Sequence, residues 1–153
     1  MRWILVFLPV IMMLVTVWGV SLRLHADEKG ERMEQGKVFE VYPIGYVQKC
    51  EGRTTIVIDK QYEAGLHRLD KLSDIWVLWW FDKNDTAEKR AILKVHPQGN
   101  PEKPLTGVFA THSPVRPNLI AMTRCKVLSV KDNVIEIESI DAFSGTPVLD
   151  IKS

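Results

Sequence analysis

Ile120-Ala121-Met122-Thr123-Arg124-Cys125-Lys126-Val127-Leu128-Ser129-Val130 is followed by Lys131-Asp132-Asn133 and then by Val134-Ile135-Glu136-Ile137-Glu138-Ser139-Ile140. Two alternating runs around a short polar turn read as a β-hairpin, because a strand sends successive side chains to opposite faces. Downstream, Val148 to Ile151 follows the Ser144-Gly145-Thr146 turn and reads as a last short strand. Upstream, Gly107 to Thr111 reads as a short strand and Arg90 to His96 alternates as another, with the Pro/Gly-rich loop Gln98 to Pro104 between them. Ile75 to Phe81 is apolar without alternation. That predicts a strand covered on both faces, with Trp76, Trp79 and Trp80 in the core rather than on a stacking platform for bases. Thr54 to Asp59 is β-branched and predicts a strand. Val38 to Lys49, interrupted by Pro43 and Gly45, predicts an edge strand with an irregular start. Between the strands, Tyr62 to Leu72 places Leu66, Leu69 and Leu72 at a spacing of three and predicts one short helix, weakened by Gly65. Many short strands with one short helix predict a mainly β domain, a small closed or nearly closed antiparallel barrel.

The barrel occupies residues 38–153, behind a polar tether at 27–37 and an N-terminal segment at 1–26. Trp3 to Leu22 carries no charge. As a hydrophobic helix it would be roughly 30 Å long, enough to cross a bilayer. A cleaved signal peptide has a shorter apolar region, and Leu24-His25-Ala26 is a poor cleavage site, so the length favours a single-pass transmembrane anchor over a signal. Arg23, Lys29, Arg32 and Lys37 follow the segment, which favours a cytoplasmic domain. Arg2 before it resembles the start of an export signal, so both orientations stand.

The formal net charge is +1, with 46% hydrophobic and 25% charged residues, an ordinary globular balance. Nothing in it pushes toward nucleic acid, though a local basic face remains open. Cys50 and Cys125 are distant in sequence. They are candidates for a disulfide if the domain is exported and for free thiols if it is cytosolic. No HExxH, HxH or CxxC occurs, and the histidines (His25, His67, His96, His112) are scattered, so no metal site is expected.

The most unusual stretch is Gly107-Val108-Phe109-Ala110-Thr111-His112-Ser113-Pro114-Val115-Arg116-Pro117-Asn118. Prolines on both sides of Arg116 stiffen the loop and fix the direction of that side chain. One reading is a ligand wall that presents His112, Ser113, Arg116 and Asn118. The other is a structural corner in which Arg116 pairs with an acid and Asn118 satisfies turn backbone.

Four motifs stand in order: Pro43-Ile44-Gly45, Leu72-Ser73-Asp74-Ile75-Trp76-Val77-Leu78, the Gly107–Asn118 loop, and Asp141 followed by Gly145-Thr146-Pro147-Val148-Leu149-Asp150-Ile151-Lys152. Together they resemble the TsaA-like family, whose characterised branch is TrmO, over about residues 40 to 152. The resemblance implies a homodimeric β-barrel that binds S-adenosylmethionine near the subunit interface and methylates threonylcarbamoyl-adenosine in tRNA. It also implies a cofactor site at His112, Ser113, Arg116, Asn118, Met122, Asp141, Ser144 and Thr146.

Arg116, Asn118, Asp141, Thr146 and Asp150 keep the family pattern. Asp82 stands where the family has histidine, His112 where it has arginine, and Ser144 where it has an acid. Leu119-Ile120-Ala121-Met122 replaces Pro-Ile-Gly-Leu, and Lys49-Cys50 replaces a Ser-Pro pair. Losing two charged hydrogen bonds would weaken cofactor binding by about a hundredfold. Two functions therefore follow from the sequence. One is an S-adenosylmethionine-dependent methyltransferase, acting on tRNA if the domain is cytosolic, in which Asp141 could accept a proton or simply cap its turn. The other is a catalytically diverged, membrane-tethered barrel for another small ligand or partner. Whether the chain is an enzyme stays open at this point, and no catalytic residue is assigned.

Overall fold

In a computed structural model of the chain, the structure describes residues 38–153. The expected apolar span at Trp3–Leu22 and the tether at 27–37 lie outside the described residues. Among the described residues, no helix is long and apolar enough to cross a membrane. Glu40–Ser153 forms one compact unit.

The barrel closes in the order β1-β2-β7-β6-β3-β8, with every pair antiparallel. Its strands are β1 (Gly45–Cys50), β2 (Arg53–Ile58), β3 (Asp74–Trp80), β6 (Ile120–Lys131), β7 (Val134–Ile137) and β8 (Pro147–Lys152). Two short strands, β4 (Lys94–Val95) and β5 (Thr106–Gly107), form a separate ribbon.

Local chemistry sets the pairing. Cys50 pairs with Arg53 across Glu51 and Gly52, both at positive φ (50° and 78°), as a tight hairpin with right-handed strand twist requires. The β6–β7 hairpin turns where the sequence places it, with Lys131 opposite Val134 and Asp132 at φ 52°. The Asn133 amide then donates to the Ile58 carbonyl and ties that turn to β2. Gly45 sits where β1 crosses closest to β2. A Cβ there would overlap the Val57 carbonyl oxygen and the Ile58 Cα, so only glycine fits.

The inward rows form the core: Val47, Ile56, Ile58, Ile75, Val77, Trp79, Ala121, Cys125, Ile135, Ile137 and Val148 are all buried. Fully burying one such aliphatic side chain contributes roughly 1.5–3 kcal/mol. The core is thus built from alternate positions of each strand.

Several expectations need correction. Ile75–Phe81 is not covered on both faces: burial alternates, with Ile75, Val77 and Trp79 inside and Trp76 39% exposed. The segment expected as one helix over 62–72 is two 3₁₀ turns, Lys60–Leu66 and Leu69–Lys71. Arg68 adopts φ 68° between them and interrupts any continuous helix. The expected strand at 90–96 is extended only at Lys94–Val95. Before it lies α1 (Ala87–Arg90), started by Thr86, whose hydroxyl accepts from the Lys89 N–H. At 107–111 the chain forms a 3₁₀ segment, Val108–Ala110, with Val108 buried. Pairing in the first expected strand begins only at Gly45. Cys50 is exposed at a hairpin end and Cys125 is buried in the core, and both are free thiols.

Candidate functional site

One end of the barrel opens into a cavity of about 590 Å³, within the size range of small-molecule sites. Its floor is the inward row Trp79, Ala121, Thr123 and Thr146. The Trp79 indole N–H donates to the Thr123 hydroxyl at 3.0 Å, and Phe81 packs edge-on to Trp79 at 4.8 Å. The floor is therefore aromatic with its polar handle already satisfied.

The first wall is the proline loop, which contributes Phe109, Thr111, His112, Pro114 and Arg116. Its shape is set from within. The Thr111 hydroxyl donates to the Val108 carbonyl and accepts from the Ser113 N–H. The Ser113 hydroxyl in turn accepts from the Val115 N–H at 3.3 Å. Arg116 reaches the Thr111 carbonyl at 3.4 Å, so its guanidinium lies over the loop with most of its donors free. From outside, Arg90 donates to the Pro117 carbonyl at 2.8 Å. The loop ends at Leu119, which is fully buried, and its carbonyl accepts from the Phe81 N–H.

The second wall is the turn carrying Asp141, Phe143 and Thr146. Gly145 takes φ 87°, a conformation strained for any residue with a side chain. Strand β1 holds this turn in place. Gly145 N–H donates to the Val47 carbonyl, and Val47 N–H donates to the Thr146 carbonyl. The Lys49 N–H donates to the Ser144 hydroxyl, and the Lys49 ammonium donates to the Ile140 carbonyl. Two departures from the family pattern, Lys49 and Ser144, thus bond to each other.

Asp82, Lys83 and Asn84 close a third side. The Thr146 hydroxyl, itself buried, points at Asp82 at 3.5 Å, and Lys83 pairs with the other Asp82 oxygen at 3.0 Å. The cavity lining therefore includes two carboxylates, Asp82 and Asp141, and the cationic Arg116. Phe109 and Phe143 stand on opposing walls, 79% and 70% exposed. Together they give the cavity flat apolar surface open to solvent.

Of the residues singled out from the sequence, His112, Arg116, Met122, Asp141 and Thr146 line the cavity. Ser113, Asn118 and Ser144 lie outside the lining. Ser113 and Ser144 spend their hydroxyls shaping the two walls, and Asn118 is exposed where the loop turns back to Leu119. The sequence reading named Asp82 and the loop holding Phe109 without counting either among the site residues, and it did not single out Lys83, Asn84 or Phe143. Phe109 was visible within the proline loop, and Asp82 as the first charge after the apolar run.

The description of the tRNA-methyltransferase O N-terminal domain matches residues 40–153. A probable S-adenosyl-L-methionine-binding protein of Pyrococcus horikoshii is 48% identical over 116 residues, covering 76% of this chain and 82% of the relative. A tRNA (adenine(37)-N6)-methyltransferase of Rattus norvegicus is 35% identical over 129 residues, covering 72% of this chain but 29% of that enzyme. The crystal structure of TrmO from P. aeruginosa superposes with a TM-score of 0.58 at 26% identity, over 76% of this chain and 54% of that one. The chain thus spans about half the length of that solved protein and under a third of the rat enzyme.

Proposed function

The chain belongs to the family of the tRNA-methyltransferase O N-terminal domain, and on that premise we propose that its barrel binds S-adenosylmethionine and transfers the methyl group to an adenosine of tRNA. The observation that carries this reading is the cavity itself, whose lining combines aromatic, anionic and cationic side chains. A nucleoside-linked amino acid needs that combination: a planar base, hydroxyls and an ammonium that donate, and a carboxylate that accepts. The volume and the donor set suit such a ligand.

When bound, S-adenosylmethionine supplies an electrophilic methyl group. The protein's own work is chiefly binding and orientation, which can lower a two-substrate barrier substantially. Arg116 offers a forked grip on a carboxylate. Asp82, bonded to Thr146 and Lys83, accepts from hydroxyl or ammonium donors. Phe109 and Phe143 supply flat apolar surface for a base. Asp141 lines the cavity, exposed and with no hydrogen-bond or ion-pair partner among the described residues, so it is the carboxylate this reading assigns to receive the proton of the acceptor nitrogen. The modified adenosine beside the anticodon is the acceptor this reading favours.

The same reading includes a homodimer. Phe109 and Phe143 at the cavity are open apolar side chains that a second copy would cover, and Leu93 and Leu105, flanking the β4–β5 ribbon, are exposed as well.

The test is transfer of radiolabelled methyl from S-adenosylmethionine to bulk tRNA by the full chain, followed by nucleoside analysis. Label in an adenosine nucleoside supports the reading. Cofactor binding with no label in tRNA would overturn the acceptor and leave only the cofactor.

A further inference from the structure

The outer face of the barrel carries a row of side chains that the cavity does not use. In the pairing of β3 with β6 and β8, Trp76 stands directly opposite Arg124 on one side and Lys152 on the other. Trp76 is 39% exposed although it sits in the middle of an apolar strand, and the Arg124 and Lys152 side chains are each 63% exposed. A large indole left open between two cations on a sheet surface is what base stacking with flanking phosphate contacts requires.

The row is continuous with features at both ends. Met122, two residues before Arg124 on the same face of β6, is exposed and lines the 590 Å³ cavity. At the other end, Lys152 also lines a groove of about 380 Å³ shared with Arg68 and Lys71. From Met122 to Lys126 the strip runs about 13 Å along β6. Cations outnumber carboxylates along it. Asp74 pairs with Arg124, Asp150 with Lys152 and Asp70 with Lys71. Arg68, held at φ 68°, keeps a guanidinium with no partner among the described residues. Ion pairs this exposed are weakly held, so a phosphate can share the same cations.

We propose that this strip is a path for single-stranded RNA, in which Trp76 stacks a base, Arg124 and Lys152 hold the phosphates on either side, and Met122 marks where the strand enters the cavity. The proposal rests on the reading of the cavity as a site that acts on a tRNA base. Charge distribution favours RNA over a second copy of the chain, because the centres of protein interfaces are depleted in charge and this tryptophan is bracketed by it.

The experiment measures binding of a fluorescein-labelled RNA stem-loop to the full chain in mild detergent, by anisotropy across a salt series, with S-adenosylmethionine binding and light scattering run in parallel. Trp76→Ala should weaken RNA binding roughly 5- to 150-fold, and Trp76→Phe should restore most of it. The double variant Arg124→Gln/Lys152→Gln should reduce the slope of log K against log salt by about 1.4, the value for two lost single-strand phosphate contacts. Cofactor binding should be unchanged in all three variants. Wild-type protein that binds cofactor but not the stem-loop overturns the path and leaves the cofactor reading standing. Loss of the cofactor with RNA binding intact and Trp76-dependent does the reverse. Unchanged RNA affinity in the variants, or a change of oligomeric state in Trp76→Ala, also overturns the proposal.

Discussion

Arg90 is the residue whose removal should separate the shape of the cavity from the stability of the barrel. It closes α1, and its guanidinium donates to Asp85 at 2.8 Å and to the Pro117 carbonyl at 2.8 Å while lying 5.3 Å over the Trp80 ring. The Trp80 indole donates to the other Asp85 oxygen at 3.1 Å. Three elements are thus indexed to one side chain: the end of β3, the short helix, and the proline loop that presents Arg116. A charged hydrogen bond contributes roughly 1.5–3 kcal/mol, and the lower end applies because the Arg90 side chain is 34% exposed. The ring contact adds about 0.5–1 kcal/mol. Arg90→Ala should therefore cost about 2 kcal/mol, or about 8 °C in Tm for a domain of this size. The first wall should loosen with it. If half of that energy is spent re-ordering the loop on binding, affinity for S-adenosylmethionine falls about fivefold. Arg90→Lys should fall between the two, since an ammonium lacks the planar fork. Urea melts and titration calorimetry on the same preparations read both quantities. A full loss of stability with cofactor affinity unchanged within about twofold would refute the reasoning, and would show that the prolines alone hold the wall.

Three further outcomes follow from the geometry. The Asp85 carboxyl is held below its ordinary value, first by Arg90 and then by the Trp80 indole. A carboxyl depressed on folding contributes stability above its unfolded pKa of about 4 and loses it as pH falls through the folded value. Asp85→Asn should therefore flatten the acid side of a Tm-against-pH curve below about pH 5, and an unchanged curve would remove Asp85 from the clamp. Gly45→Ala should destabilise by roughly 1–3 kcal/mol or more, because β1 and β2 cannot part without breaking their ladder. A urea midpoint at the wild-type value would show that they can. Cys50 should react with a thiol reagent at neutral pH, whereas Cys125, buried and pushed up to about 11, should react only on unfolding; two fast thiols in the native protein would contradict the core assignment.

The hairpin of β6 and β7 was legible because Arg124, Lys126 and Glu136 alternate with buried Cys125, Ile135 and Ile137 beside a polar turn, even though Ile120, Met122 and Leu128 also face outward. In β3 the same period exists in the burial but not in the letters. Trp76, Leu78 and Trp80 point outward and are as apolar as Ile75, Val77 and Trp79 inside. Alternation misled at 90–96 for the opposite reason. Leu93 and Val95 alternating with Lys94 and His96 mimic a longer strand, but the Thr86 cap and the ribbon with Thr106 and Gly107 decide that segment. The two walls of the cavity were readable because each is made locally, by two prolines and by one glycine at positive φ. The third side, at Asp82, reaches them only through long-range pairing of β3 with β6 and β8, which no local pattern records.

Titration of the full chain with S-adenosylmethionine, beside Arg116→Ala, tests the central claim most directly. Arg116 lines the cavity and keeps most of its donors free, so the variant should bind at least tenfold more weakly, the cost of about one charged hydrogen bond. With histidine at 112, wild-type affinity should fall in the range of about 1 μM to 1 mM. No heat at millimolar cofactor, or equal affinity in the variant, would contradict the account.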